Sequence, residues 1–360
     1  MFKEKNVTLQ SYNKNDSKLP MKHPQNIVTL VAAILLIVAL FVLNLAMGSV
    51  SIPLSDVVAI LLGSNADATS DTLHFIIIHS RLPQALMALM GGAALAVSGL
   101  LLQTTFRNPL AGPDVFGINS GAALAVAIVM LGMGGSVSAG LLSVAGYVAV
   151  LASALVGALI VTALISALSV VVRSSTMLLI IGLMIGYLAN SAITLLNFFA
   201  TSEGVKSYMI WGMGSFGNVS LHSIPVAATL IGIFLLAALL LVKPLNALLL
   251  GELYAENLGI DTHRLRLLLL VVTGVLTATV TAFCGPVSFI GLATPHIARL
   301  LIGSENHRLL LPSTMLLGSV IALLCSWLCT LPAHNGVIPL AAVTPLVGAP
   351  VVIYVLLKRR

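Results

Sequence analysis

Long apolar runs separated by short polar breaks make up nearly the whole chain. A helix needs roughly 20 apolar residues to cross the hydrocarbon core. On that measure the candidate spans are about Ile27–Met47, Leu82–Thr104, Phe116–Leu131, Leu141–Val171, Met177–Phe199, Pro225–Val242, Leu267–Phe283, Val287–Leu301, Leu309–Leu331 and Ile338–Leu357. The pattern predicts an all-α, polytopic membrane protein of about ten transmembrane helices. The third and eighth runs are short, which predicts partial spans or helices that reach a cavity instead of full lipid-exposed crossings. Residues 1–25 form a polar tail rich in Lys and Asn. The first apolar run after it is longer than a signal-peptide core and lacks a clear small-residue cleavage site, so it reads as a retained helix. Residues 26–360 are then one transmembrane domain.

Composition agrees: 59% of residues are hydrophobic, 8% are charged, and the mean hydropathy is +1.10. Such a chain has the bilayer as its main solvent, and its length leaves no room for a soluble catalytic domain. The formal charge of +6 does not indicate nucleic acid, because the basic residues sit at span ends, where they set orientation. If ten spans alternate from a cytoplasmic N-terminus, one face receives fifteen Lys and Arg residues. The other receives Arg81 and Lys206 alone. A single miscounted span would scramble this asymmetry, so it also supports an even number of spans, with both termini in the cytoplasm. Cys284, Cys325 and Cys329 all lie in apolar segments without ligand or disulfide spacing, and read as small buried hydrophobes. Glycines such as Gly91, Gly92, Gly182 and Gly186 let helices approach closely.

Between Val115 and Val172 there is no Asp, Glu, Lys, Arg or His, and all eleven acids can be assigned outside the hydrocarbon, Asp114 to the inner face. An ion-coupled secondary transporter generally needs ionisable or coordinating groups at membrane depth, so that class is disfavoured, although backbone carbonyls of broken helices could still bind sodium. An intramembrane enzyme is disfavoured further, since no His-Glu-x-x-His pattern or paired acids occur. No Gly-x-x-x-x-Gly-Lys-Ser/Thr loop is present, so ATP is not bound in that manner. Free energy must therefore arrive from another protein at a cytoplasmic surface. Gly251–Asp261 fits that need: it is a polar island between apolar runs, and it holds three of the eleven carboxylates. Read as a short helix bounded by Gly251 and Gly259, it places Leu253, Tyr254 and Leu258 on an apolar side and Glu252 and Glu256 in water, suited to the groove of a partner. A loop that merely tolerates charge is the alternative.

Five motifs then occur in order: Arg81-Leu82-Pro83; Arg107-Asn108-Pro109-Leu110-Ala111 with Gly112-Pro113; Gly251-Glu252-x-x-Ala255-x-x-Leu258-Gly259; Phe289-Ile290-Gly291-Leu292-Ala293-Thr294-Pro295-His296-Ile297-Ala298-Arg299; and Gly348-Ala349-Pro350. Together they resemble the FecCD-type permeases, the membrane subunits of ABC importers for ferric siderophores, haem and vitamin B12. The resemblance runs from about Arg81 to the C-terminus. It implies the type II ABC importer permease fold and an inner-membrane location. It also implies a permease dimer, homo- or heteromeric, with two cytoplasmic ATP-binding subunits and a periplasmic or lipid-anchored substrate-binding protein. The chain itself would be neither an enzyme nor a carrier of a cofactor or metal.

By the same resemblance the segment 244–264 couples to the ATPase through Gly251, Glu252, Ala255, Glu256, Leu258 and Gly259. Ser174, Ser175 and Thr176 match the family's inner gate, a reading compatible with simple helix capping. Arg107, Asn108, Pro109, Gly291, Pro295, His296 and Arg299 are structural or docking residues, and Asp114 helps shape the inner loop. His296 is not a metal ligand, because no Cys, Asp or second His lies at ligand spacing. Tyr208, Trp211, Gly212 and Ser215 belong to a segment that resembles the family's outer Trp-x-x-Gly-Ser region. Three positions depart from the family pattern: Gln84 stands where an Arg is usual, and Ser326 and Thr330 stand where an acid and an Arg are usual. Arg81 and Lys206 remain as the expected contacts for the binding protein. The cargo expected is a ferric siderophore, with vitamin B12 or haem as the alternative.

Overall fold

The computed structural model describes residues 23–48, 50–63, 69–132, 144–172, 174–331 and 336–358. Residues 1–22 of the polar tail and Arg173 lie outside them, while residues 23–25 belong to the first helix. Among the described residues all regular structure is helical. The chain runs through α1 (His23–Ala46), α2 (Leu54–Leu61), α3 (Thr69–Phe75) and a π-helical turn (Ile76–Arg81) into α4 (Leu82–Phe106). Next come α5 (Ile118–Gly132), α6 (Val144–Val171), α7 (Ser175–Phe199), α8 (Ser202–Gly212) and α9 (Ile224–Leu240). It ends with α10 (Val242–Leu250), α11 (Glu252–Asn257), α12 (Thr262–Cys284), α13 (Ile290–Ile302), α14 (His307–Cys329) and α15 (Leu340–Lys358). Seven helices among the described residues are long and apolar enough to cross a membrane, and three shorter apolar ones coincide with the third, eighth and tenth expected spans.

Helix α4 is apolar around its whole circumference and sits at the centre, packed against α12, α13 and α14. An all-round apolar helix belongs inside a bundle. Between helices in lipid there is no hydrophobic drive, so close backbone approach must supply the packing. Glycine makes that possible here. A methyl group on Gly92 of α4 would strike the carbonyl of Gly318 of α14, and one on Gly318 would strike that of Gly92. Gly121 of α5 and Gly157 of α6 meet in the same reciprocal way. The peripheral helices α1, α7 and α9 instead expose broad apolar faces, including Leu35, Tyr187, Leu188 and Leu236.

The two short helices start inside the bundle. Arg107 adopts a left-handed conformation (φ 45°) that ends α4, and the chain after it folds back along that helix. A Cβ on Gly291, in the first turn of α13, would lie 2.8 Å from the carbonyl oxygen of Leu95 and 3.2 Å from the Pro113 side chain. Leu95 is halfway along α4, so Pro113 and the start of α13 both lie at mid-depth. This corrects the placement of Asp114 on the inner face: the carboxylate follows Pro113 into the bundle. A re-entrant segment is tolerated there because protein, not lipid, surrounds its backbone.

Candidate functional site: the island end of the bundle

The island is a short helix clipped back onto the bundle. Gly251 (φ 129°) breaks the chain between α10 and α11, and Gly259 (φ 82°) turns it towards α12, whose first turn is capped by Asp261 accepting from the Arg264 amide at 3.0 Å. Neither glycine conformation suits an L side chain. Glu252 meets the Arg266 guanidinium at 2.5 Å, and Glu256 accepts from the Thr262 hydroxyl at 2.7 Å. Ala255 is fully buried. The acids are therefore occupied within the chain, while Leu253 (79% exposed), Tyr254 (51%) and Leu258 (59%) face outwards. A groove of about 510 Å³ runs beside them, lined by Arg107, Gly251, Glu252 and Asn257.

Two other motifs converge on the same end. Arg107 Nη2 donates to the Leu248 carbonyl at the end of α10 at 2.7 Å, and lies 3.7 Å from where a Gly251 Cβ would be. The Asn108 side chain accepts from the Leu110 amide at 2.9 Å, tightening the turn that carries Pro109. His296 is buried and its Nε2 donates to the Pro109 carbonyl at 2.8 Å, which accounts for the ring as a structural tie. Arg299 reaches Gln103 Oε1 at 2.6 Å and Glu305 at 3.0 Å. Gln103 in turn donates to the Leu292 carbonyl at 3.2 Å. Asn246 accepts from the His307 amide at 2.8 Å and so joins α10 to α14. An open pocket of about 220 Å³ is lined by Gln103, Arg107, Pro109, Leu248, Arg299 and Glu305. Gln103, Asn246 and Glu305 were not singled out from sequence, although a lone Gln within an apolar run was a usable signal. Pro295 lies inside α13 and Gly291 packs on α4.

Ser174 caps α7 by accepting from the Met177 amide at 3.3 Å, and Ser175 and Thr176 open that helix. The capping role of this turn is thus present in the geometry.

At the opposite end Arg81 departs from expectation. It is 6% exposed, and its guanidinium donates to the carbonyls of Leu45 (2.7 Å), Ala46 (2.9 Å) and Val50. A cation held on the last carbonyls of α1 complements that helix end, so Arg81 is internal and not displayed to a partner. Lys206 on α8 is exposed. Two of the three atypical positions meet each other: Gln84 donates to Ser326 Oγ at 3.1 Å, and Thr330 bonds its own helix at Trp327. Gln84 and Ser326 line a cavity of about 160 Å³ with Ser215, Phe216, Asn218 and Pro339. Tyr208 and Trp211 stack nearby, with ring centroids 6.2 Å apart. Among the described residues no three of His, Cys, Asp or Glu come together as a metal site.

The two ends of the bundle also sort the charges. Arg266, Arg299 and Arg107 surround the island, and α4 separates them from Arg81 by its 25 residues, about 37 Å of helix. His23 and Lys358 both lie at the island end, because α1 finishes beside Arg81 and α15 begins where the Ala341 amide meets the Met213 carbonyl.

Comparison with known proteins bears on the same geometry. Residues 35–358 match the model of the FecCD transport family. The vitamin B12 import system permease protein BtuC of Salmonella paratyphi A is 37% identical over 279 residues, covering 77% of this chain and 82% of the relative. The BtuC of Citrobacter koseri is 37% identical over 281 residues, covering 78% and 82%. A transporter assigned to the metal-chelate type of ABC transporter, solved in an inward-facing conformation, superposes with a TM-score of 0.77 at 30% identity, over 91% of this chain and 98% of that one.

Proposed function

This chain belongs to the FecCD transport family, and we propose on that premise that it forms the membrane path of an importer for ferric siderophores. It is a multi-pass inner-membrane permease subunit of an ABC importer, and ATP hydrolysis belongs to partner chains. The island carries the coupling step. Its acids are consumed by Arg266 and Thr262, so what it offers outwards is an apolar face beside a groove, the form that suits insertion into a cleft of an ATPase. Closure of an ATPase dimer on that face would bias the permease between two arrangements through differential contacts. In this reading the island and both chain ends lie in the cytoplasm, segment 244–264 is the coupling element, and the Ser174–Thr176 turn narrows or widens the inner mouth. Lys206 faces the binding protein.

The metal-chelate description of the superposed transporter supports a chelate cargo. A second reading, vitamin B12, is favoured by the BtuC relatives. The test is uptake into proteoliposomes that hold this chain, its ATPase and its binding protein. Vanadate-sensitive, ATP-dependent uptake of a radio-iron siderophore is expected. Uptake of cobalamin alone would replace the cargo assignment with the second reading. Uptake that persists without ATPase and collapses with an uncoupler would overturn the importer itself.

A further inference from the structure

Asp114 is a carboxylate at membrane depth that is only half-buried. Its depth is bracketed by two contacts. Pro113 lies at the level of Leu95, midway along α4. Asn119, which donates to Asp114 Oδ1, accepts from the hydroxyl of Thr281, three residues before the end of α12. The carboxylate is also held by the Phe289 amide at 3.3 Å, so its position is set from α5, α12 and the start of α13 together. Val115, Ser288 and Phe289 beside it are half-buried as well. This half-buried group lies between α7, where Gly182 packs on Val115 and Phe116, and α15, where Gly348 packs on Phe289.

A charge at that depth facing hydrocarbon is strongly unfavourable, and acids within membrane segments accordingly face the protein interior or a water-filled cavity. We propose that Asp114 is a water-facing carboxylate of the transport path, fixed by Asn119 and the Phe289 amide, and that it favours cationic or donor-rich cargo over anionic cargo. The proposal rests on the importer reading for its cargo. The same geometry makes the face between α7 and α15 the wet side of the chain, in contrast to the apolar face of α9, where Leu236 is 58% exposed. A single negative charge in a low-dielectric channel acts on passing charges more strongly than a surface charge would.

The test reads local water and local charge, without needing the cargo. Val115→Cys, next to the carboxylate, is introduced into the transporter assembled with its ATPase and reconstituted in lipid nanodiscs. It is treated with the cationic ethylammonium and the anionic ethylsulfonate methanethiosulfonates, with Leu236→Cys as the lipid-facing control. Reaction at position 115 with the cationic reagent several-fold faster than with the anionic one, relative to a free thiol, and no reaction at position 236, is expected. Adding Asp114→Asn should return the ratio to that of the free thiol. Silence of position 115 towards both charged reagents, reaction only in the isolated chain and not in the assembled transporter, or a ratio indifferent to Asp114→Asn would each overturn the proposal. Should the double variant fail to assemble, the single variant still decides water access and the sign of the field. A transporter that reacts as expected yet shows no ATP-driven uptake would fail the importer reading alone.

Discussion

Arg81 shows how one side chain can be read correctly in type and wrongly in use. Its sequence position at a span end suggests a displayed cation, but three carbonyls around the end of α1 take up its donors. Carbonyls at a helix C-terminus are otherwise unsatisfied, and a charged donor among them contributes more than a neutral one. Arg81→Gln should therefore lower stability by about 2–4 kcal/mol, read as a fall in the thermal midpoint of the purified chain in detergent. Lys206→Glu should leave that midpoint unchanged and weaken binding-protein association by up to about fivefold, the range of an exposed ion pair. A stable Arg81→Gln protein with impaired association would reverse the two assignments. The Gln84–Ser326 pair belongs to the same scale. From sequence these were two separate departures from a pattern, and only the fold makes them partners.

Among the elements, α4 and α11 lie at opposite extremes. Helix α4 is buried because glycine lets neighbours reach its backbone, so added volume there has nowhere to go. Gly92→Val should destabilise by at least the 1–3 kcal/mol typical of overpacking, seen as loss of monodisperse protein on size exclusion. The same change at Gly232 in α9, where a Cβ would meet nothing within 4 Å, should have little effect. Helix α11 is held by Ala255 below and by Glu252 and Glu256 at its flanks, which leaves its apolar residues free. Leu253→Asp with Leu258→Asp should cut ATPase association at least tenfold, measured by co-purification, and leave insertion and the thermal midpoint intact. Glu252→Ala should cost at most about 1 kcal/mol, since its partner is a partly exposed ion pair. If the double Asp variant still binds the ATPase and transports normally, the island is not the coupling surface.

For the whole molecule, the positive-inside bias and the placement of His23, Lys358 and the island at one end describe one topology. In intact cells Lys206→Cys should react with an impermeant maleimide from outside, while Leu258→Cys should react only after the membrane is opened. The opposite pattern would invert the orientation. The ten apolar segments, the shortness of the third and eighth and the short helix of the island with its outward apolar side were legible in the chain, because hydrocarbon imposes length and polarity on every segment independently. The helix termini at Gly251, Gly259 and Ser174 were legible for the same local reason, since caps and turns depend on near neighbours. Tertiary structure alone decided what the short helices are for. The depth of Asp114 depends on the path of residues 108–117 after α4, and that path is set by the contacts of Gly291 with Pro113 and with Leu95, far apart in sequence. It likewise decided that Arg81 is spent internally and that Arg107, His296 and Arg299 brace the island end, since a hydrogen bond between distant segments leaves no periodic trace in the sequence.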